Sequence, residues 1–228
     1  MLSVSQYQDL HTVRNGIYSL LARLYQEPMD NKLFSWLSGR ENPFIEFRLY
    51  PSNTELETGL KILSAWDKEP EHEDLATLQD DYNQLFLVPP YGALPYESPW
   101  LDQDHLMFQE PTLKVRKMYH QFGVQASQEN RFPDDHIGLE LEFMAYLCRT
   151  YLTHQSTLAE DSLPTSQEWL AAQASFIEEH LLLWVPDFTR RQIESASTAF
   201  YRGLAYLLNG FIFWDFSFLN RHLCGASR

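Results

Sequence analysis

An all-α fold follows from three observations on this 228-residue chain. Apolar residues recur at helical spacing almost throughout. No alternating run of β-branched residues is bounded by turn pairs. Prolines and capping pairs fall where the helical runs start and stop. One globular helical domain, residues 1–228, with about nine to eleven helices, is therefore expected. A division into an N-terminal lobe 1–125 and a C-terminal lobe 126–228, about a hinge loop 123–135, stays open.

The elements follow in order. Tyr7, Leu10, Ile17, Leu20, Leu21 and Leu24 mark a first helix, which Pro28 closes. Ser52 and Glu55 have the spacing of a capping box for a helix bearing Leu56, Leu60 and Leu63. An acidic connection, Glu69 to Asp74, leads into a helix with Leu75, Leu78, Tyr82, Leu85 and Phe86 on one side. Leu113, Arg116, Met118, Tyr119 and Phe122 form another, with Gly123 placed to end it in the left-handed conformation. Ile137, Leu141, Met144, Cys148 and Tyr151 step by four, three, four and three, an amphipathic helix for which Asp134 or Asp135 can serve as N-cap. Thr165 and Glu168 form a second box, opening a helix with Trp169, Phe176, Ile177 and Leu181. Pro186 is expected to break the chain, with Asp187 capping a short helix to Ser195, and a last helix runs from about Ala196 to about Phe216.

Composition narrows the function. Hydrophobic residues make up 44% and aromatics 14%, so a substantial core is available. With 17 basic against 31 acidic residues the net charge is −14, which argues against a nucleic-acid partner and suits a basic one. Cys148 and Cys224 stand alone, so neither a disulfide framework nor a structural zinc is expected. The opening residues lack a basic stretch followed by an apolar one, and the apolar region Thr198–Leu219 carries Arg202, Asn209 and Asp215. Neither a signal peptide nor a membrane span is expected, and the protein reads as cytoplasmic.

The least ordinary segment is Tyr82–Asp102, YNQLFLVPPYGALPYESPWLD, where a helical run passes into a loop with Pro89, Pro90, Pro95 and Pro99 among Tyr91, Tyr96 and Trp100. Each proline fixes its own φ and extends the residue before it, so the loop is stiff as well as apolar. Such a segment lines a groove or plugs a seam, and the residues alone leave both open for Leu85, Phe86, Tyr96 and Trp100. Phosphate-loop, dinucleotide, nucleophile-elbow and HExxH signatures are missing. His136 and Glu140 share a helix face four residues apart, a spacing that can ligate a metal but more often makes a polar pair. Asp135 beside His136 is a polar constellation without an accompanying nucleophile. No catalytic or metal-binding residue is assigned.

Two motifs in order, Tyr82-Asn-Gln-Leu85-Phe86 leading to Pro95-Tyr96-Glu97-Ser98, then Pro133-Asp134-Asp135-His136-Ile137-Gly138-Leu139-Glu140, resemble the TorD/DmsD family of molybdoenzyme maturation chaperones. The resemblance implies an all-helical cytoplasmic protein that binds rather than catalyses. It implies recognition of the twin-arginine leader, and of the body, of a molybdoenzyme such as a trimethylamine N-oxide or dimethyl sulfoxide reductase. The client would be held back from export until its molybdenum cofactor is inserted. Implied leader-binding residues are Tyr82, Leu85, Phe86, Pro95, Tyr96, Ser98, Asp135 and His136. The resemblance also implies no tightly bound cofactor, weak guanine nucleotide or transient molybdenum cofactor contact, and a monomer or a domain-swapped dimer. Two residues depart from the family pattern: Val88 where a glycine is usual, and Tyr96 where tryptophan is frequent. Rival readings are a weak GTP hydrolase using Asp135 and His136, and a structural adaptor of a respiratory complex.

Overall fold

The computed structural model describes residues 4–39, 42–47, 49, 52–66, 73–88, 92–126, 133–156 and 165–225. Among them the fold is all-α. The helices are α1 (Val4–Gln26), α2 (Asn31–Leu37), α3 (Pro43–Glu46), α4 (Thr54–Trp66), α5 (Leu75–Tyr82), α6 (Ser98–Leu101), α7 (Glu110–Gln121), α8 (Ile137–Ser156), α9 (Ser166–Phe176), α10 (Leu182–Ser195) and α11 (Ala199–Gly225). Two π-helical stretches, Asn83–Leu87 and Ile177–Leu181, follow α5 and α9. No described helix is long and apolar enough to cross a membrane. Pro89, Pro90, Tyr91 and most of the acidic connection before Asp74 lie outside the described residues.

Contacts sort the chain into two compact units, each assembled from separate stretches. The first holds 1–26, 96–183 and 215–228. In it α1 and α8 bury Ile17, Tyr18, Leu21 and Leu24 with Ile137, Leu141, Met144 and Cys148, the stripe that the spacing of α8 predicts. Phe143 anchors an aromatic cluster, its ring centroid 4.7 Å from Tyr119 and 4.9 Å from Phe176. This apolar interior also encloses an ion pair: both carboxylate oxygens of Asp215 accept from the Arg14 guanidinium, and Tyr18 donates to Oδ2 at 2.7 Å. Gln173 Oε1 accepts a further Arg14 N–H at 2.7 Å. Burial alone would lower the Arg14 pKa, but Asp215 more than reverses this and keeps the guanidinium charged. Burial, then the neighbouring Arg14, pushes His11 down to about 3, and burial pushes the Cys148 thiol up to about 12. Cys148 is thus an inert core residue.

The second unit holds 27–95 and 184–214. Its helices α4 and α11 approach until backbones touch: a Cβ on Gly59 would lie 2.4 Å from the Leu207 nitrogen, and one on Gly210 2.2 Å from the Leu56 nitrogen. Asn53 Nδ2 donates to the Gly210 carbonyl at 2.9 Å across the same crossing. Two carboxylates cap the start of α11. Asp81 accepts from the Ser197 and Thr198 amides at 3.1 and 2.9 Å, and Glu73 accepts from the Ala199 and Phe200 amides. Negative groups placed there satisfy exposed N–H groups and meet the positive end of the helix dipole.

Several boundaries differ from those the sequence predicts, each for a local reason. Asn53, not Ser52, caps α4, its Oδ1 accepting the Leu56 amide at 2.9 Å while the Ser52 hydroxyl turns to Glu57. Pro186 does not break the chain but lies inside α10, just beyond the widened Ile177–Leu181 turn. The last helix starts at Ala199, because Thr198 caps it, and continues to Gly225. Helices α2, α3 and α6 have too few turns to show a period, although Asp30 and Asn42 cap the first two in the ordinary way. The Thr165–Glu168 capping box is present, and Gly123 follows α7 with φ +69°.

The α4–α11 crossing makes a direct prediction. Gly210→Ala places a methyl group against backbone that cannot yield without parting the helices, so it should lower unfolding free energy by ~1–3 kcal/mol in chemical denaturation. A variant as stable as wild type would mean that the crossing is looser than described.

Candidate functional site

Three consecutive residues before α8 each bind a different part of the first unit. Asp135 holds the segment ahead of α6: its carbonyl accepts the Glu97 amide at 2.9 Å, and its Oδ2 accepts the Ser98 amide at 2.8 Å and the Ser98 hydroxyl. That hydroxyl also shares a 2.8 Å hydrogen bond with Thr112 on α7. Asp134 turns the other way. Its carboxylate accepts from Arg116 Nε at 2.6 Å, and its carbonyl accepts the Tyr119 hydroxyl at 3.0 Å.

His136 is the N-cap of α8. Its Nδ1 accepts the Gly138 amide at 3.0 Å, and its carbonyl accepts the Leu139 and Glu140 amides at 2.8 and 3.0 Å. The expectation that one of the aspartates caps this helix is therefore corrected: both carboxylates are taken up by other elements, and the imidazole does the capping. A ring nitrogen that accepts a hydrogen bond is unprotonated, and burial pushes His136 down to about 4, so the imidazole is neutral at physiological pH.

The paired segments meet in an isolated antiparallel bridge between Tyr96 and His136, whose rings pack edge to face at 5.0 Å. Glu97 is buried and accepts from His180 Nδ1 at 3.0 Å. Glu97, Asp134, Asp135 and Glu140 are all buried around Tyr119. Burial first, then these four carboxylates, raises the Tyr119 pKa well above the ordinary value. The residues that sequence reasoning left without a role here are Arg116, Thr112 and His180. Nothing local marks them, since each earns its place only through a partner distant in sequence.

The eight predicted binding residues fall into two groups. Tyr96, Ser98, Asp135 and His136 come together in the first unit. Tyr82, Leu85, Phe86 and Pro95 belong to the second, where Phe86 packs against Tyr82 at 5.0 Å, Tyr201 at 5.9 Å and Phe188 at 6.2 Å. Of the eight, Tyr96 alone is not buried. Among the described residues no group of three or more His, Cys, Asp and Glu side chains is placed to hold a metal ion. His136 is buried and its Nδ1 is occupied by the Gly138 amide, so this nitrogen is not available as a general base.

The first unit also contains a cleft of about 380 Å³ between α1, the end of α7 and α8. Ala22 and Ala145 leave the space, Phe143 and Tyr146 present rings to it, and Arg23 and Arg149 add positive charge.

Residues 51–190 match the family described as nitrate reductase delta subunit. Chaperone protein TorD of Aliivibrio salmonicida (strain LFI1238) is 32% identical over 143 residues, 62% of this chain, and the chain spans only 64% of that protein's length. The protein of the same name from Vibrio cholerae serotype O1 (strain M66-2) is 32% identical over 173 residues, 69% of this chain and 74% of the relative. That from Psychrobacter sp. (strain PRwf-1) is 25% identical over 218 residues, 93% of this chain and 94% of the relative. Each is named a chaperone, a non-enzymatic role.

Two predictions come from the junction. Asp135→Ala strands the buried Ser98 amide and should cost ~1.5–3 kcal/mol, whereas Asp135→Asn keeps an acceptor at Oδ2 and should cost less than half as much in the same unfolding assay. His136 takes up a proton at about 4 in the folded chain against an ordinary 6.5, so the unfolded chain protonates first as pH falls. Its contribution is present above pH 6.5 and is lost between about 6.5 and 4, to a limit of about 3 kcal/mol. His136→Asn, which keeps a capping acceptor without a titrating ring, should flatten the stability profile by that amount over this window. A profile parallel to wild type would contradict the assignment.

Proposed function

Because the chain belongs to the TorD/DmsD family of maturation chaperones, we propose that it binds the twin-arginine leader and the body of a molybdoenzyme of the trimethylamine N-oxide or dimethyl sulfoxide reductase type. In this reading it assists insertion of the molybdenum cofactor and delays export until the client has folded. It acts in the cytoplasm, where the leader is still attached, as a monomer or a domain-swapped dimer. The role is binding, not catalysis.

The observation that carries the reading is the pairing of the two motifs. Pro95–Ser98 and Pro133–Glu140 both lie inside the matched region 51–190, and the second fastens the end of the first through Asp135. A net charge of −14 favours a client whose recognition segment is basic, and long-range attraction speeds its encounter. Magnitudes suit a chaperone that lets go. Burying ~400 Å² of apolar leader surface yields roughly 10 kcal/mol gross, and ordering a free peptide costs a comparable ~4–15 kcal/mol. Net affinity is then on the order of micromolar, strengthened when the client body adds a second contact. A guanine nucleotide or the molybdenum cofactor would be contacted weakly or transiently, and the α1–α8 cleft, lined by Arg23 and Arg149 together with Glu142, is one place for such a contact.

Calorimetric titration of a synthetic twin-arginine leader into the full chain tests the proposal. The expected dissociation constant is on the order of micromolar, weakening about tenfold or more when the arginine pair is replaced by glutamine. Absence of binding to any such leader, with retained binding to a folded molybdoenzyme body, would sink the leader-centred version.

A further inference from the structure

The segment joining α6 to α7 presents large apolar side chains outward. Leu106 is 53% and Phe108 65% exposed, and Leu101 at the end of α6 and Leu113 on α7 are 39% and 60% exposed. Single exposed apolar residues are ordinary, but four of this size within residues 101–113 are not. The segment is also well fixed. Asp102 Oδ2 accepts the Asp104 and Leu106 amides at 3.0 and 3.2 Å, and His105 Nδ1 bonds the Pro99 carbonyl at 2.7 Å. His105 and Phe108 take φ of +55° and +61°, a conformation that non-glycine residues seldom adopt and that here faces Phe108 to solvent. One end is held by Asp135 on Ser98 and the other by the Ser98–Thr112 hydroxyl pair. A segment anchored at both ends and bonded within, with its apolar side chains outside, is organised for contact.

Its charge says what kind of contact. From Ser98 to Leu113 the chain has Asp102, Asp104 and Glu110 and neither lysine nor arginine; Lys114, Arg116 and Lys117 follow on α7, where Lys114 pairs with Glu110 at 3.1 Å and Arg116 with Asp134. The apolar side chains are therefore set beside acidic groups, complementary to an apolar stretch that follows arginines. We infer that Leu101, Leu106, Phe108 and Leu113 form the docking surface for the apolar stretch of the client's leader, with Asp102 and Asp104 facing its basic end. This rests on the leader-binding reading and deepens it. The buried motif residues act as positioning residues for this surface, and the exposed ones make the contact.

The test is fluorescence anisotropy with a labelled twin-arginine leader and the full chain. Leu106→Ser/Phe108→Ser/Leu113→Ser should weaken binding by about tenfold or more, with a thermal midpoint near that of wild type because these side chains are exposed. Trp36→Ser/Ile45→Ser, which alters exposed apolar residues of the other unit, should leave binding within about twofold. As an independent readout, benzoylphenylalanine in place of Phe108 should cross-link to the apolar part of the peptide. Wild-type binding that the triple variant leaves unchanged, with no cross-link, overturns the docking surface and spares the leader reading. A wild type that binds no leader overturns that reading and this inference with it.

Discussion

The hydrogen bonds between the Asp135 carboxylate and Ser98 are the constraint on which the candidate site depends. A buried carboxylate needs donors to replace the water it has lost, and the Ser98 amide and hydroxyl supply them to Oδ2, while Oδ1 is buried without a hydrogen-bond partner among the described residues. In bonding to Asp135, they also fix where the chain emerging from Pro95 turns into α6. The neighbours in sequence extend the same junction: Asp134 takes Arg116 and Tyr119 from α7, and His136 caps α8. A run of three polar residues thus joins three elements, and the surface from Leu101 to Leu113 inherits its position from them.

This division of labour changes the sense in which the motif residues are functional. Leu85, Phe86, Ser98, Asp135 and His136 belong to the two motifs that resemble the family's, and they are buried. Their effect on a ligand then runs through the geometry they impose, and substitutions there act on stability and affinity together. Residues that meet a partner directly must be sought among exposed neighbours such as Phe108, where side-chain changes alter affinity without loosening the fold. The proposed affinity, on the order of micromolar, agrees with a few exposed apolar contacts rather than a deep enclosed groove.

Much of the fold was legible in the sequence because the relevant physics is local. The stripe from Ile137 to Tyr151, the Thr165–Glu168 box and the glycine after α7 depend on residues within one or two turns. What was not legible depends on distant partners. Asp134 and Asp135 have the residue type of an N-cap, but Arg116 and Ser98 claim them, and His136 takes the position instead. Pro186 has the residue type of a breaker, yet it is accommodated beside a π turn that no spacing rule announces. For the site, the sequence marked two segments, Pro95–Ser98 and Pro133–Glu140, that the structure joins, but not the direction of the side chains, so burial of Leu85, Phe86 and Asp135 had to come from the structure.

Amide hydrogen exchange on Asp135→Ala against wild type, without client, tests the central claim most directly. The account predicts that the amides of Ser98 and of Trp100–Asp102 lose protection in the variant while those of α4 and of Ala199–Trp214 in α11, the opposite unit, keep theirs. Unchanged protection over Ser98–Asp102 would show that something other than Asp135 holds this segment, and would contradict the account.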